Sequence, residues 1–220
     1  MSIQTEIARI NGAKADLQSW VEENGVTVPD GTLIDGLVEL VKTVETGGGG
    51  GDTQIDGLID RSITEIQNSR VTSIGMYAFY RCSNLTTANF PAAKSIGGGA
   101  FQSCTELSAV DFPVAKSIGS YAFASCTKLS AVDFPAAESI DTRAFNSCGI
   151  LTALILRKTN IVCNLSKTDA FGNTGIARGT GYIYVPSALV NSYKAATNWS
   201  TYANQIRAIE DYPDITGGAA

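Results

Sequence analysis

Cys82, Cys104, Cys126 and Cys148 follow one another at intervals of 22 residues, and Cys163 stands apart from them. Regularly spaced thiols suggest metal ligation, disulfide formation or nucleophilic attack. The chain has no histidine. That removes a Ser-His-Asp triad, a Cys-His dyad and every His-ligated zinc or haem site built from this chain alone. An interval of 22 is not a Cys-x-x-Cys spacing, and four thiols in a column do not make a tetrahedron. Neighbouring strands ~4.8 Å apart satisfy the Cα distance for a disulfide, so distance allows a bridge. Equal phase, however, runs the side chains parallel. Cysteine packs well as a small buried hydrophobe, and the favoured expectation is a reduced structural ladder. Cys163 lies outside it and has no assigned role.

Carboxylates offer little more. Asp52, Asp56 and Asp60 recur every four residues but do not match an EF-hand loop, so solvent exposure is preferred over calcium. Asp111 and Asp133 share one phase on successive repeats. A paired-carboxylate glycosidase needs a cleft, and their small Ser and Ala neighbours do not supply one. The run Gly47 to Gly51 has no following Lys-Ser/Thr and no preceding strand, so it reads as a flexible linker, not a phosphate loop. No catalytic group, metal set or cofactor site emerges. The expectation is a protein that is not an enzyme.

The elements that hold the cysteines in register are visible as a repeat. Ile74, Ile96, Ile118 and Ile140 keep the same interval of 22 residues, as do Ala78, Ala100, Ala122 and Ala144. Each alanine precedes a phenylalanine: Phe79, Phe101, Phe123 and Phe145. Leu85, Leu107, Leu129 and Leu151 follow in phase. Phe90, Phe112 and Phe134 close their units before a proline, with Leu156 in that slot of the fourth. Apolar residues at fixed phases predict one solenoid coil per repeat. The segment Leu107-x-x-Val110-x-Phe112 predicts a short strand pairing with the equivalent strand of the next coil. Asp60 to Ile66 reads as a degenerate first coil. Asp169-Ala170-Phe171 repeats the signature out of phase, and Tyr182 to Pro186 as a last strand. Ser187 is expected to cap a helix carrying Leu189, Val190 and Tyr193, with Trp199, Tyr202 and Ile206 following.

The expected class is therefore α+β: a short solenoid of 22-residue coils with an N-terminal helical hairpin and a C-terminal cap. Residues 1–46 form the hairpin module. Ile3, Ile7, Ile10, Leu17 and Val21 line one helix, and Leu33, Leu37, Leu40, Val41 and Val44 the other, around a Pro29-Asp30-Gly31 turn. Two such short helices need a partner surface, so they read as a capping hairpin or as an attachment or oligomerisation module. Residues 47–53 are the linker, 54–162 the solenoid (a first coil plus four repeats), 163–210 the cap and 211–220 a flexible tail.

Charge follows these divisions. The chain of 220 residues has a formal net charge of −5. Residues 1–46 hold three basic and eight acidic residues, while the rest hold 13 of each. A nucleic-acid module needs a basic stripe, which is missing, and an anionic membrane surface is disfavoured for the same reason. No apolar run approaches the ~20 residues of a membrane span, so no membrane insertion is expected. Met1 to Ile10 lack the basic and apolar regions of a signal peptide, so ordinary secretion is not expected.

If the apolar columns are core, ligand-facing groups must come from the polar positions between them. On the strands these include Thr86, Thr87, Asn89, Ser108, Asp111, Ser130 and Asp133. On the turns they are Tyr77, Tyr80, Arg81, Gln102, Tyr121 and Arg143. Tyrosine combines rigid area with a polar tip, which singles out Tyr77, Tyr80 and Tyr121. The alternative is an ordinary solvated face.

The unit Ser117-Ile118-Gly119-x-x-Ala122-Phe123-x-x-Cys126-x-x-Leu129 resembles the BspA-like leucine-rich repeat family, over roughly residues 60–186. The resemblance implies a leucine-rich-repeat solenoid that binds and does not catalyse, as in bacterial surface proteins. The flanks, Ile3 to Ile10 with Val28 to Thr32 and then Tyr184 to Pro186 with Tyr193 to Trp199, resemble tail-associated proteins of phages and prophages of Gram-positive bacteria. Together they imply a phage tail-fibre or receptor-binding component. It would be made in the bacterial cytoplasm, carried in the virion, and would contact a host surface glycan or protein. Residues 1–46 would join other tail proteins or a second copy. The alternative is a BspA-type adhesin, on the bacterial cell surface or secreted.

Overall fold

The computed structural model describes residues 54–55 and 63–216. The expectations for the helical hairpin, the glycine linker, Asp52, Asp56, Asp60 and residues 217–220 lie outside the described residues.

Each coil carries two strands. The first ladder is built from two-residue strands: β1 (Gln54–Ile55), β3 (Ser73–Ile74), β5 (Ser95–Ile96), β7 (Ser117–Ile118), β9 (Ser139–Ile140) and β11 (Asn164–Leu165). They form one parallel sheet in that order. The second contains the expected strands: β2 (Glu65–Gln67), β4 (Thr87–Asn89), β6 (Ala109–Asp111), β8 (Ala131–Asp133), β10 (Ala153–Ile155), β12 (Tyr182–Val185) and β13 (Ile206–Ala208). It runs as two sheets, β2-β4-β6 and β8-β10-β12-β13. The interruption falls between the coils that carry Asp111 and Asp133. Register follows the repeat, with Ser73 opposite Ser95 and Thr87 opposite Ala109. At the end it slips, because Leu165 faces Ile140 where strict phase would place Val162.

A third side is made of tight turns whose amides alternate between two destinations. Tyr77, Phe79 and Arg81 donate across to the carbonyls of Gly98, Ala100 and Gln102 at 3.0, 2.7 and 2.9 Å. The intervening amides of Tyr80 and Cys82 stay within the coil, reaching the carbonyls of Tyr77 and Phe79 at 3.0 and 3.1 Å. The same pattern recurs on the next coils, so the polar backbone of this side is satisfied without regular strand structure.

Every apolar column points inward. Phe79, Phe101, Phe123, Phe145 and Phe171 stack with centroids 4.9, 5.2, 5.4 and 5.7 Å apart and planes within 4° of parallel. Phe90, Phe112 and Phe134 form a second stack beside it, at 5.7 and 6.3 Å. Phe171, out of phase in sequence, is thus the fifth ring of the first column. The amide of Phe145 donates to the Ala170 carbonyl at 2.8 Å, as that of Phe123 does to Ala144.

The cap covers the end of the stack. Trp199 and Tyr202 lie 6.1 and 5.5 Å from the Phe171 ring, and Tyr193 packs edge-on to Trp199 at 5.3 Å. Helix α1 (Val190–Ala195) carries Tyr193. Three expectations are corrected here. Ser187 makes no side-chain cap; it opens a 3-10 turn, Ser187–Leu189, and its amide donates to Glu210 Oε2 at 2.9 Å. Ile206 belongs to a strand, so β12 is not the last one. Residues 211–216, expected as tail, continue as 3-10 turns, and Tyr212 and Ile215 pack on Ile155, Tyr184 and Ile209.

Candidate functional site

The turn side positions the candidate residues through an unusual backbone requirement. Tyr77, Gly99, Tyr121 and Arg143 occupy one phase, and all have positive φ, 58, 63, 58 and 55°. Four residues on, Arg81, Ser103, Ser125 and Ser147 do the same at 59, 64, 62 and 62°. A left-handed conformation costs a non-glycine residue roughly 1–2 kcal/mol. The coil-to-coil hydrogen bonds donated by the amides of Tyr77, Tyr121, Arg81, Ser103, Ser125 and Ser147 offset that cost. The result is a ridge running along the stack, with these side chains in register.

At one end of the ridge, the Tyr77 ring meets Tyr80 edge-on at 5.6 Å, and the Arg81 guanidinium carbon lies 5.1 Å from the Tyr80 centroid. Tyr77 is 53% exposed and Met76 64%. The Tyr77 ring rests on Gly99, where a Cβ would fall 2.3 Å from its Cε1 and 3.2 Å from Gln102 Oε1. At the other end, Arg143 Nη1 donates to the Tyr121 hydroxyl at 2.6 Å, and its Nε reaches Asp169 Oδ2 at 3.2 Å. The Tyr121 hydrogen bond and the Asp169 charge raise the Arg143 pKa above its ordinary value.

Six of the sequence candidates, Tyr77, Tyr80, Arg81, Gln102, Tyr121 and Arg143, therefore share the ridge. Asp111 and Asp133 do not. They sit on the strand ladder, where Asp111 is exposed. Asp133 is bound by Arg157, with Nη2 at 2.6 Å and Nε at 2.7 Å. Thr86 and Ser108 turn their hydroxyls to the preceding coil's carbonyl, Thr64 and Thr86, at 2.8 and 3.3 Å. Met76, Gly99 and Asp169 belong to the ridge and were not singled out in the sequence. Only the glycine at a tyrosine phase carried a signal for them. A further aromatic group lies at the end of the strand ladder. Tyr184 and Tyr212 are 5.1 Å apart, and Arg207 lies 4.6 Å from the Tyr182 centroid. Alternation in Tyr182-Ile183-Tyr184 signalled its first half only.

The cysteines are buried, free thiols. Those of Cys104, Cys126 and Cys148 donate to the carbonyls of Phe79, Phe101 and Phe123, at 3.1, 3.2 and 3.0 Å. Burial, with a smaller contribution from Cys82, pushes the Cys104 thiol up to about 12. Burial pushes Cys126 in the same direction, reinforced by Cys148. A thiol so shifted stays protonated and unreactive at neutral pH. Cys163 acts through its backbone: its amide donates to Tyr193 Oη at 2.9 Å, and its carbonyl accepts from Trp199 Nε1 at 2.6 Å. Among the described residues, no three His, Cys, Asp or Glu side chains are grouped to hold a metal ion. No helix among them is long and apolar enough to cross a membrane.

Comparison with known proteins agrees with this architecture. Residues 60–177 match six copies of the BspA type leucine rich repeat region. A leucine-rich repeat protein from Bacteroides ovatus is 25% identical with a TM-score of 0.48, over 66% of this chain and 35% of that one. The T. pallidum leucine rich repeat protein is 25% identical with a TM-score of 0.46, over 58% of this chain and 57% of that one. This chain thus spans from about a third to somewhat over half of the length of these two solved structures. No curated protein matches it. With the coils and core columns following that repeat, the chain belongs to the BspA type leucine-rich repeat family.

Proposed function

We propose that this protein is a non-enzymatic recognition protein that binds a cell-surface ligand through the turn ridge. One observation carries the reading: Tyr77, Tyr121 and Arg143 are held in register at left-handed positions, with Tyr77 53% exposed. Rigid aromatic and arginine side chains on a fixed scaffold are the residue types that dominate recognition surfaces. In its finer form the reading is a phage tail-fibre or receptor-binding component, carried in the virion, that contacts a host surface glycan or protein. Residues 1–46 would attach it to other tail proteins or to a second copy. The resemblance of the flanks to tail-associated proteins supports this, as does the segregation of all the net charge into residues 1–46.

The test is binding of labelled full-length protein to a panel of Gram-positive bacteria. Tyr77→Ala and Tyr121→Ala should each weaken labelling; unchanged labelling places the site elsewhere. Family membership favours a second reading, a bacterial surface or secreted adhesin. Flanking tail or lysis genes would support the phage form, and sortase or export genes the adhesin. Light scattering on the intact chain and on one lacking residues 1–51 tests self-association; two monomers would leave attachment to other virion proteins as the role of the segment.

A further inference from the structure

We infer that the ridge binds an uncharged carbohydrate chain laid along the solenoid axis, with Tyr77 as the stacking platform and Gln102, Tyr121 and Arg143 as the polar contacts. This rests on the recognition reading above and narrows its ligand to one class. Gly99 lies against the Tyr77 ring. Its φ of 63° matches those of Tyr121 and Arg143 at the same phase, so the backbone does not require glycine there. The Tyr77 ring does, since a Cβ at residue 99 would stand 2.3 Å from Cε1 and 2.5 Å from Cδ1. The missing side chain makes a seat. It supports the ring from beneath while leaving the residue 53% exposed. An aromatic ring supported on one side and open on the other suits the C–H face of a pyranose.

Beyond the platform, the groups change from apolar to polar in the order a sugar chain requires. Gln102 Oε1 borders the seat. The Tyr121 hydroxyl accepts from Arg143, which leaves its own hydrogen to donate outward. Arg143 uses Nε on Asp169 and one Nη1 proton on Tyr121, so further N–H donors remain for a ligand. Asp169 balances Arg143 at this end, and the one cation at the other end, Arg81, lies over the Tyr80 ring, so the ridge carries no run of positive charge to hold a polyanion, which favours a neutral chain. A protein ligand would need a broad face with a buried apolar centre. The adjoining column instead holds Arg81, Ser103, Ser125 and Ser147. Tyr77 and Arg143 lie three coils apart, which at roughly 4.8 Å per coil is about 14 Å, the length of a short oligosaccharide.

The experiment is a glycan array probed with labelled full-length protein, followed by calorimetry on a retained neutral oligosaccharide. Tyr77→Ala should weaken binding by about tenfold, and Tyr77→Phe should bind within about threefold of the parent, since the ring face is kept. Gly99→Ala, which displaces the ring without removing it, should behave like Tyr77→Ala. Circular dichroism and melting of each variant separate lost contact from lost fold. An array that retains no neutral glycan, or one bound equally by a folded Tyr77→Ala variant, overturns the inference. Periodate and protease treatment of labelled cells separates the two levels. If labelling survives periodate and is abolished by protease, the ligand class is wrong and the ridge stands. If a folded Tyr77→Ala variant labels cells unchanged, the ridge itself is wrong.

Discussion

The thiol of Cys104 donates to the carbonyl of Phe79 in the preceding coil, 3.1 Å away. The same oxygen accepts the Cys82 amide at 3.1 Å, while the Phe79 amide crosses forward to Ala100 at 2.7 Å. Phe79, Phe101 and Phe123 are each pinned in this way at both backbone polar atoms, and Cys104, Cys126 and Cys148 serve as buried donors between coils. A sulfur fills the core as a small hydrophobe does, yet it also gives the carbonyl its second donor.

Truncating this contact has a measurable cost. Cys126→Ala removes a buried sulfur and its bond to the Phe101 carbonyl. It should destabilise the protein by roughly 1–2 kcal/mol in urea titration. In the native protein at pH 8, none of the five buried thiols should react rapidly with a disulfide reagent, and all should react once it is unfolded. Rapid reaction of a ladder cysteine in the folded state would remove the packing role.

Alkaline pH should weaken the fold, and the sign follows from linkage. The Cys104 and Cys163 thiols are raised from 9.0 to about 12, both chiefly by burial. Burial likewise raises the Tyr193 hydroxyl from 10.0 to about 12. Below pH 9 folded and unfolded chains hold these protons alike, and the stability is fully present. Between pH 9 and 12 the unfolded chain releases them first, so stability falls as pH rises, by at most roughly 1.4 kcal/mol per pH unit for each group. Denaturation midpoints measured from pH 7 to 10.5 should be flat at first and then decline.

Trp199 ties the cap to the last coil through Cys163. Trp199→Phe keeps most of the ring against Phe171 and Tyr193 but leaves the Cys163 carbonyl without its 2.6 Å donor. The expected loss is roughly 1–3 kcal/mol. Trp199→Ala should lose roughly 3–5 kcal/mol and expose the end of the phenylalanine stack. Urea titration with dye-binding measurements on both variants checks the order. Equal losses would mean that the N–H, and not the ring volume, is what Trp199 supplies to the cap.

What was legible in the sequence was whatever the repeat wrote more than once. Ile74, Ala78, Phe79, Cys82, Leu85 and Phe90 with their successors gave the core, because burial at a fixed phase demands apolar residues at that phase. The Ser-Ile ladder was not readable as strand, since two residues are too short to show alternation. Phe171 was missed as a column member because the last coil is longer than 22 residues, and one insertion hides an equivalence that stacking restores. The left-handed ridge was hidden for a different reason. Seven of its eight positions carry side chains, so the usual glycine signal survives only at Gly99. Cys163 gained its role from Tyr193 and Trp199, which only the folded cap brings to it.

Coil spacing gives the sharpest test of that reading, because two glycines two coils apart make opposite predictions. The Gly97 amide donates to the Ile74 carbonyl at 2.9 Å. A Cβ on it would stand 2.7 Å from the Gly75 carbonyl carbon and 2.8 Å from the Ile74 oxygen and the Met76 nitrogen. All three are backbone atoms, so no rotamer change can relieve the contact; the coils must separate and lengthen the ladder bond. Gly97→Ala should therefore cost roughly 1–3 kcal/mol. A Cβ on Gly149 would meet nothing within 4 Å. Gly149→Ala should be neutral or stabilise by up to about 1 kcal/mol, through the unfolded chain. Guanidinium titrations of the two variants decide it. Equal and small effects would mean that the coils have slack at Gly97, and that their spacing is set by the phenylalanine stack alone.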